Sequence, residues 1–115
     1  MKLVIAAPIP TEPEPILQRI EVATARSIPT FHIIGLPAPE VAEARERVRA
    51  AIESSDLEFP KRRVLINLSP ASIRKRGTGL DLGMALAVIQ AMKKNEDPGP
   101  TIAAWGELGL DGSVK

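Results

Sequence analysis

The sequence contains no cysteine and no tyrosine, a single histidine, and three aromatic rings, Phe31, Phe59 and Trp105. Lack of cysteine excludes disulfides, thiolate metal centres and thiol nucleophiles. One histidine, His32, excludes any site that needs two. Three scattered rings do not make a base-stacking platform, which needs several aromatics on one surface, and they leave the core to aliphatic side chains. No apolar run approaches the roughly 18 residues of a membrane-spanning helix. The opening Met1–Pro8 carries one positive side chain and a short apolar run broken by Pro8, too short for a secretory signal. These absences set the expectation of a cytoplasmic protein with no membrane partner. A dominant charge is also lacking. Fifteen Lys and Arg stand against fourteen Asp and Glu, a net charge of +1. Bulk electrostatic capture of nucleic acid is therefore disfavoured, and any such contact needs a local basic patch.

What is present is the make-up of one folded domain. The 115 residues are 44% hydrophobic and 25% charged, enough for one core and too few for two, so residues 1–115 read as a single domain. Pro8, Pro10, Pro13 and Pro15 confine any early strand to about Leu3–Ala7 and make Thr11–Pro15 an extended loop. A proline-rich ligand for a recognition domain is the less favoured reading of that stretch. Alternation predicts strands at Arg19–Ala25 and Phe31–Ile34, and the short link Ser27-Ile28-Pro29 predicts that they pair as an antiparallel hairpin.

Val41, Ala44, Val48, Ala51 and Ile52 share one helical face, and Pro39 suits a first turn. Together they predict a helix over about 39–54. Glu43 and Arg47 form an i, i+4 pair in the favoured order. A third strand is predicted at Arg63–Ser69. A second helix is predicted over about 81–94, with apolar residues over an arc wide enough to be buried on more than one side. Residues 95–100 read as a linker, Ile102–Leu110 as a fourth strand, and Asp111-Gly112 as a two-residue hairpin turn. A hairpin needs a returning strand, so the expectation is a piece of a longer polypeptide. The fold class expected is α/β (α+β), two layers, with a mixed sheet.

Six residues ahead of the second helix, Arg74, Lys75, Arg76, Gly77, Thr78 and Gly79, form the strongest candidate contact for an anion or DNA. Free N–H groups at a helix start, glycines and three cations supply the physics. Solvated cations and glycines placed for tight packing are the plainer reading. One of Gly77 and Gly79 is expected at positive φ. Lys61, Arg62 and Arg63 form a second cluster. A straight strand between them puts the two clusters roughly 20 Å apart, as two patches. Arg45 and Arg49 share a helix side laced with Glu40, Glu43, Glu46 and Glu53, while Arg47 points elsewhere.

Other groups read as structural. His32 is expected to be partly buried and satisfied, Asp81 to cap its helix, and Glu107 and Asp111 to be the polar end of a turn more than an acid–base pair. Ser69 and Ser72 have no histidine base, and a Ser–Lys pairing with Lys75 is the weak alternative. The string Gly, four residues, Gly-Lys-Ser/Thr does not occur, so these residues are expected neither to bind nor to hydrolyse ATP. No catalytic, cofactor or metal residue is assigned.

Four strings resemble the magnesium-chelatase-like AAA+ proteins of the ComM/YifB family. The first is Ile33-Ile34-Gly35-Leu36-Pro37 with Glu43-Ala44-Arg45-Glu46-Arg47-Val48-Arg49-Ala50-Ala51-Ile52. The second is Phe59-Pro60-Lys61-Arg62-Arg63-Val64 with Ile66-Asn67-Leu68-Ser69-Pro70-Ala71. The third is Gly77-Thr78-Gly79-Leu80-Asp81-Leu82, and the fourth is Gly106-Glu107-Leu108-Gly109-Leu110-Asp111-Gly112-Ser113. They run in order over about residues 20–115. The first fifteen residues depart from the family in their prolines.

The resemblance implies the N-terminal, ChlI-like domain of a longer protein. Its ATPase module would hold ATP and Mg²⁺, and its partners would be that module, further copies in a hexamer, and DNA during branch migration. It implies a Lon-protease-like fold, shared with a ribosomal-protein domain, and a non-catalytic accessory role in DNA processing or assembly. Active Lon-type proteases carry a serine where Gly79 stands, and their lysine would follow Lys115. An inactive Lon-like peptidase domain and a free-standing nucleic-acid- or ribosome-associated module are the alternatives.

Overall fold

Alternation along one strand sets the layers. In β4 (Arg63–Ser69) Val64, Ile66 and Leu68 are fully buried, while Arg63, Leu65, Asn67 and Ser69 are half-buried or exposed. A computed structural model describes residues 4–8, 17–72, 74–93 and 102–115. It places β4 inside a four-stranded sheet of order β1-β2-β4-β3, with β1 at Val4–Pro8, β2 at Leu17–Ala25 and β3 at Thr30–Ile34. Ile20, Val22 and Phe31 join the buried face of β4. Helices α1 (Pro39–Ala42), α2 (Ala44–Ser54) and α3 (Asp81–Ala91) pack against it. The fold is a small mixed α+β arrangement in two layers, as the periodicities imply.

The helices follow their sequence logic. Pro39 opens α1, and Glu43 joins α1 to α2 with a helical backbone. Val41, Ala44, Val48, Ala51 and Ile52 are all at most 4% exposed, so the predicted apolar face is the buried one. Helix α3 is buried around Gly83, Met84, Ala85, Ala87 and Val88 and touches β1, β2 and α2. It ends at Ala91, short of the predicted 94, and residues 94–100 lie outside the described residues, as do Pro10, Pro13 and Pro15.

The pairing of β2 and β3 is not the hairpin that the short link suggests. Strand β4 lies between them, antiparallel to β2 and parallel to β3. Four residues from Arg26 to Pro29 can span the two inter-strand gaps of roughly 5 Å each. The parallel partner must arrive by a crossover, which α1 and α2 supply. Gly35 is where β3 leaves the sheet. Its φ is +105°, and a Cβ there would lie 2.0 Å from the Leu68 carbonyl oxygen.

The segment 102–110 is not a strand. Around the last turn, Leu108 and Val114 make an isolated antiparallel bridge. Gly109 N–H donates to the Ser113 carbonyl at 2.8 Å, with Gly112 at φ +89°. The loop is therefore Leu110-Asp111-Gly112, one residue longer than predicted, with the glycine in the left-handed position that such loops need. Asp111 is tied to Ser113, accepting from its hydroxyl at 2.7 Å and its N–H at 3.0 Å. Those bonds hold its carboxyl below the usual carboxylate range.

Asp81 does not cap its helix. Leu80 holds the N-cap position and Asp81 is the first helical residue. Its side chain is 1% exposed and receives a fork from Arg47, Nε to Oδ2 at 2.7 Å and Nη2 to Oδ1 at 3.1 Å. Arg47 Nη2 also reaches the Glu40 carbonyl at 2.8 Å, and Leu108 N–H donates to Asp81 Oδ2 at 3.2 Å. Arg47 thus turns inward and pairs with Asp81 in place of the helix-surface bond to Glu43. Asp81→Ala strips a half-buried guanidinium of its partner and leaves the Leu108 N–H unpaired. It is expected to cost about 3 kcal/mol, roughly 10–20 °C of Tm at this size. Thermal unfolding of the variant checks this, and a fall equivalent to less than about 1 kcal/mol would contradict it.

Candidate functional site

The segment 70–80 connects the end of β4 to α3 and is pinned along its length. Lys75 N–H donates to the Leu36 carbonyl at 3.0 Å and Ala38 N–H to the Lys75 carbonyl at 2.8 Å, a short parallel bridge between Pro37 and Lys75. An extended chain alternates its side chains, so Lys75 points inward while Arg74 and Arg76 point out. Lys75 is 1% exposed, and its Nζ donates to the Pro70 carbonyl. Desolvation pulls its pKa below the ordinary lysine range. Lys75 is therefore not a surface cation, and its recorded side-chain bond goes to a backbone carbonyl, not to Ser69 or Ser72. Arg74 and Arg76 are exposed, and Glu40 faces them.

The Glu40 carboxyl is lowered in pKa by hydrogen bonds from its own backbone and from Gly77, with Arg74 and Arg76 adding attraction. Its Oε2 lies 3.4 Å from Gly77 N. A carboxylate of the chain thus already sits beside this glycine loop. The donors at the start of α3 are engaged as well. Asp81 N–H donates to the Thr78 carbonyl at 3.2 Å and Leu82 N–H to the Gly106 carbonyl at 3.0 Å. Gly106 N–H in turn donates to the Gly79 carbonyl at 2.8 Å. Of the N–H groups expected to be free here, that of Leu82 is taken by Gly106 and that of Asp81 by Thr78. Both glycines are demanding, for different reasons. Gly77 has φ +76° and open space around it, whereas a Cβ on Gly79 would lie 1.9 Å from the Trp105 ring.

Strings far apart in the sequence therefore meet in space: Gly35 on Leu68, Leu36 and Ala38 on Lys75, Arg47 on Asp81, and Gly79 on Gly106. A sequence model of the family described as "Subunit ChlI of Mg-chelatase" matches residues 20–115. The uncharacterized protein YifB of Salmonella typhimurium is 38% identical over 99 residues, 84% of this chain and 19% of its own length. The uncharacterized protein Rv2897c of Mycobacterium tuberculosis is 36% identical over 97 residues, again 84% and 19%. The competence protein ComM of Haemophilus influenzae is 37% identical over 75 residues, 65% of this chain and 15% of its own length. The chain belongs to the magnesium-chelatase-like ComM/YifB family. It spans about a fifth of the length of the curated relatives it matches.

In this ComM/YifB-family chain the second cluster, Lys61, Arg62 and Arg63, has company that spacing does not reveal. Arg63 pairs in register with both Thr30 and Ala25. The end of β2 and the starts of β3 and β4 therefore share one pole of the sheet, which brings Arg26 there. Arg45 and Arg49 line a hollow with Thr30 and Phe31 at the same pole. Arg45 Nη1 contacts the Phe31 carbonyl at 3.4 Å, and the Arg49 guanidinium lies 4.6 Å from the Phe59 ring centroid. Lys93 arrives from the end of α3 beside Lys61 and Arg62. Among the described residues, Glu46 and Glu58 are the carboxylates lining these two hollows, and Glu58 is 3.2 Å from Lys61. The visible signal in sequence is positional: Arg26, Arg63 and Lys93 each stand at or just beyond the end of an element. His32 is exposed, contrary to the partly buried position expected, because it lies on the outward face of β3.

Two outcomes follow. Gly79→Ala must displace Trp105, the single tryptophan, at about 1–3 kcal/mol, with a red shift of its fluorescence. Gly77→Ala should cost about 1 kcal/mol for a positive φ and leave that fluorescence unchanged. Matching spectra and stabilities for the two variants would refute the distinction. The second outcome concerns pH. Lys75 has a folded-state pKa below its unfolded value near 10.4, so the folded state holds fewer protons between the two values, and stability rises with pH across that window. Urea unfolding from pH 7 to 10.5 should show the wild type gaining on Lys75→Met. Parallel curves would contradict the assignment.

Proposed function

We propose that this chain is a non-catalytic accessory domain of a magnesium-chelatase-like AAA+ ATPase, and that its basic pole contacts the phosphodiester backbone of DNA. The observation that carries this reading is the gathering of Arg26, Arg45, Arg49, Lys61, Arg62 and Arg63 at one end of the sheet, in a chain whose net charge is +1. A local excess of cations attracts a polyanion where the average charge does not. Few aromatic rings and cations on several separate elements suit backbone contact more than base reading. Arg74 and Arg76 form a smaller second patch at the far end of β4, offset by Glu40.

Membership of the family supports the wider assignment. A relative named a competence protein makes DNA a reasonable partner. The ATPase module with its ATP and Mg²⁺, assembly into a hexamer through further copies, a cytoplasmic setting and a Lon-like relation of the fold belong to the same proposal. Within such a ring, modest contacts on each copy add as avidity. The peptidase alternative gains nothing from the site: Gly79 bears no side chain, and Trp105 fills the space where one would project. The ribosome-associated alternative has no observation that favours it over the accessory role.

The isolated chain is expected to bind duplex DNA weakly, without sequence preference, and with strong salt dependence. Changing Arg26, Lys61 and Arg63 together to Ala should weaken binding at least tenfold at low salt. It should also lower the slope of log K against log salt by about 2–3. Arg74→Ala with Arg76→Ala should have the smaller effect. Filter or anisotropy titration at two salt concentrations decides. Binding that ignores salt and survives the polar-end triple variant would leave assembly as the domain's role.

A further inference from the structure

The same pole contains a hollow whose rim shares Lys61 and Arg62 with the basic surface proposed for DNA. Between the end of β2, the loop before β4 and the end of α3 lies an open groove of about 570 Å³, inside the 300–1,000 Å³ range of small-molecule sites. Its floor is apolar: Val22, Phe59 and Met92 line it. Its rim is cationic: Lys61, Arg62 and Lys93 stand around it. Lys61 has Glu58 at 3.2 Å; among the described residues, Arg62 and Lys93 are the rim cations with no salt-bridge partner.

Arg62 supplies the second observation. It is half-buried, and its Nε is shielded from solvent with no hydrogen-bond partner among the described residues. A buried donor without an acceptor is costly and uncommon in folded proteins. The inventory of this groove is therefore an apolar floor, a half-buried guanidinium at its rim, and a second cation. An oxyanion accepts from a guanidinium as a charge-assisted pair, and an attached hydrocarbon body covers half-exposed Met92 and the groove-side edges of the mostly buried Val22 and Phe59. A bare inorganic anion leaves that floor wet, and an uncharged hydrocarbon leaves Arg62 unpaired.

We propose that this groove is a binding site for a small amphipathic carboxylate, with the carboxylate on Arg62 and Lys93 and the apolar body on Val22, Phe59 and Met92. The test is titration of the whole chain with decanoate, decanol and inorganic phosphate, followed by methyl NMR of Val22 and Met92. Decanoate is expected to shift both methyl signals and to bind at least tenfold more tightly than decanol, with phosphate leaving the methyls unmoved. Arg62→Gln should reduce decanoate affinity about tenfold. Lys93→Gln, at an exposed position that does not support the core, should reduce it about threefold with unchanged Tm, which keeps the test valid if Arg62→Gln fails to fold. Decanol binding as tightly as decanoate would overturn the proposal. So would decanoate binding that neither variant weakens, or methyl contacts showing that another part of this chain already fills the groove. These outcomes are read without DNA, so failure of decanoate binding is distinguishable from failure of the Arg26, Lys61 and Arg63 variant to weaken DNA binding.

Discussion

The carboxylate of Asp81 is the point on which this structure turns. It is almost wholly removed from water, and a buried charge is tolerable only when paired and hydrogen-bonded. The two bonds from Arg47 and the one from the Leu108 N–H meet that demand. The donors come from two distant parts of the chain, so satisfying one residue fixes three relationships at once: α2 against α3, the start of α3 against the last turn, and, through Arg47 and the Glu40 carbonyl, α1 against both. An apolar residue at 81 would ask for burial without specifying these partners. The pair orients the helical layer, and aliphatic packing from Ile20, Val48, Ile66, Leu68, Met84 and Val88 supplies the bulk of the stabilisation.

The glycines act around the same point. Gly106 donates to the Gly79 carbonyl at the entrance to α3, and Gly79 makes room for Trp105, while Gly35 lets the backbone close on Leu68. With Lys75 bridged to Leu36 and Ala38, the loop before α3 is a built part of the domain. That changes the meaning of its cations. Lys75 serves the interior, Arg74 and Arg76 share their neighbourhood with Glu40, and the helix start donates to the protein itself. The basic surface with fewer compensating groups is at the other end of the sheet, where β-sheet register collects side chains from separate elements.

Much of this was legible before any coordinates. The alternation in 63–69 and the 3.6-residue period in 41–52 led to the right elements because each reflects one-sided burial, a local consequence of local spacing. The strings around Gly35, Gly77 and Gly106 led to the family, and the family match over residues 20–115 agrees. Where local spacing misled, a long-range partner had outbid it. A short link suggested a β2–β3 hairpin, but β4 gains a ladder on both sides by entering between them. Residues 102–110 have strand-like composition, yet their backbone groups are engaged with Gly79, Leu82 and Asp81 instead of with a neighbouring strand.

The amino-acid sequence by itself determined the sheet strands and the helices to within a few residues, the aliphatic core, the exclusion of thiol and two-histidine chemistry, and the family. Those are properties of composition and of residues within a few positions of each other. Tertiary structure alone decided which charges are free to act. Lys75 and Arg74 are neighbours in sequence, but a single inward turn makes one a buried donor and leaves the other on the surface. Arg26, Arg49 and Arg63 are far apart in sequence, but strand register and the packing of α2 bring them to one pole. Net charge and spacing carry no record of either outcome, because burial and register are set by contacts between elements.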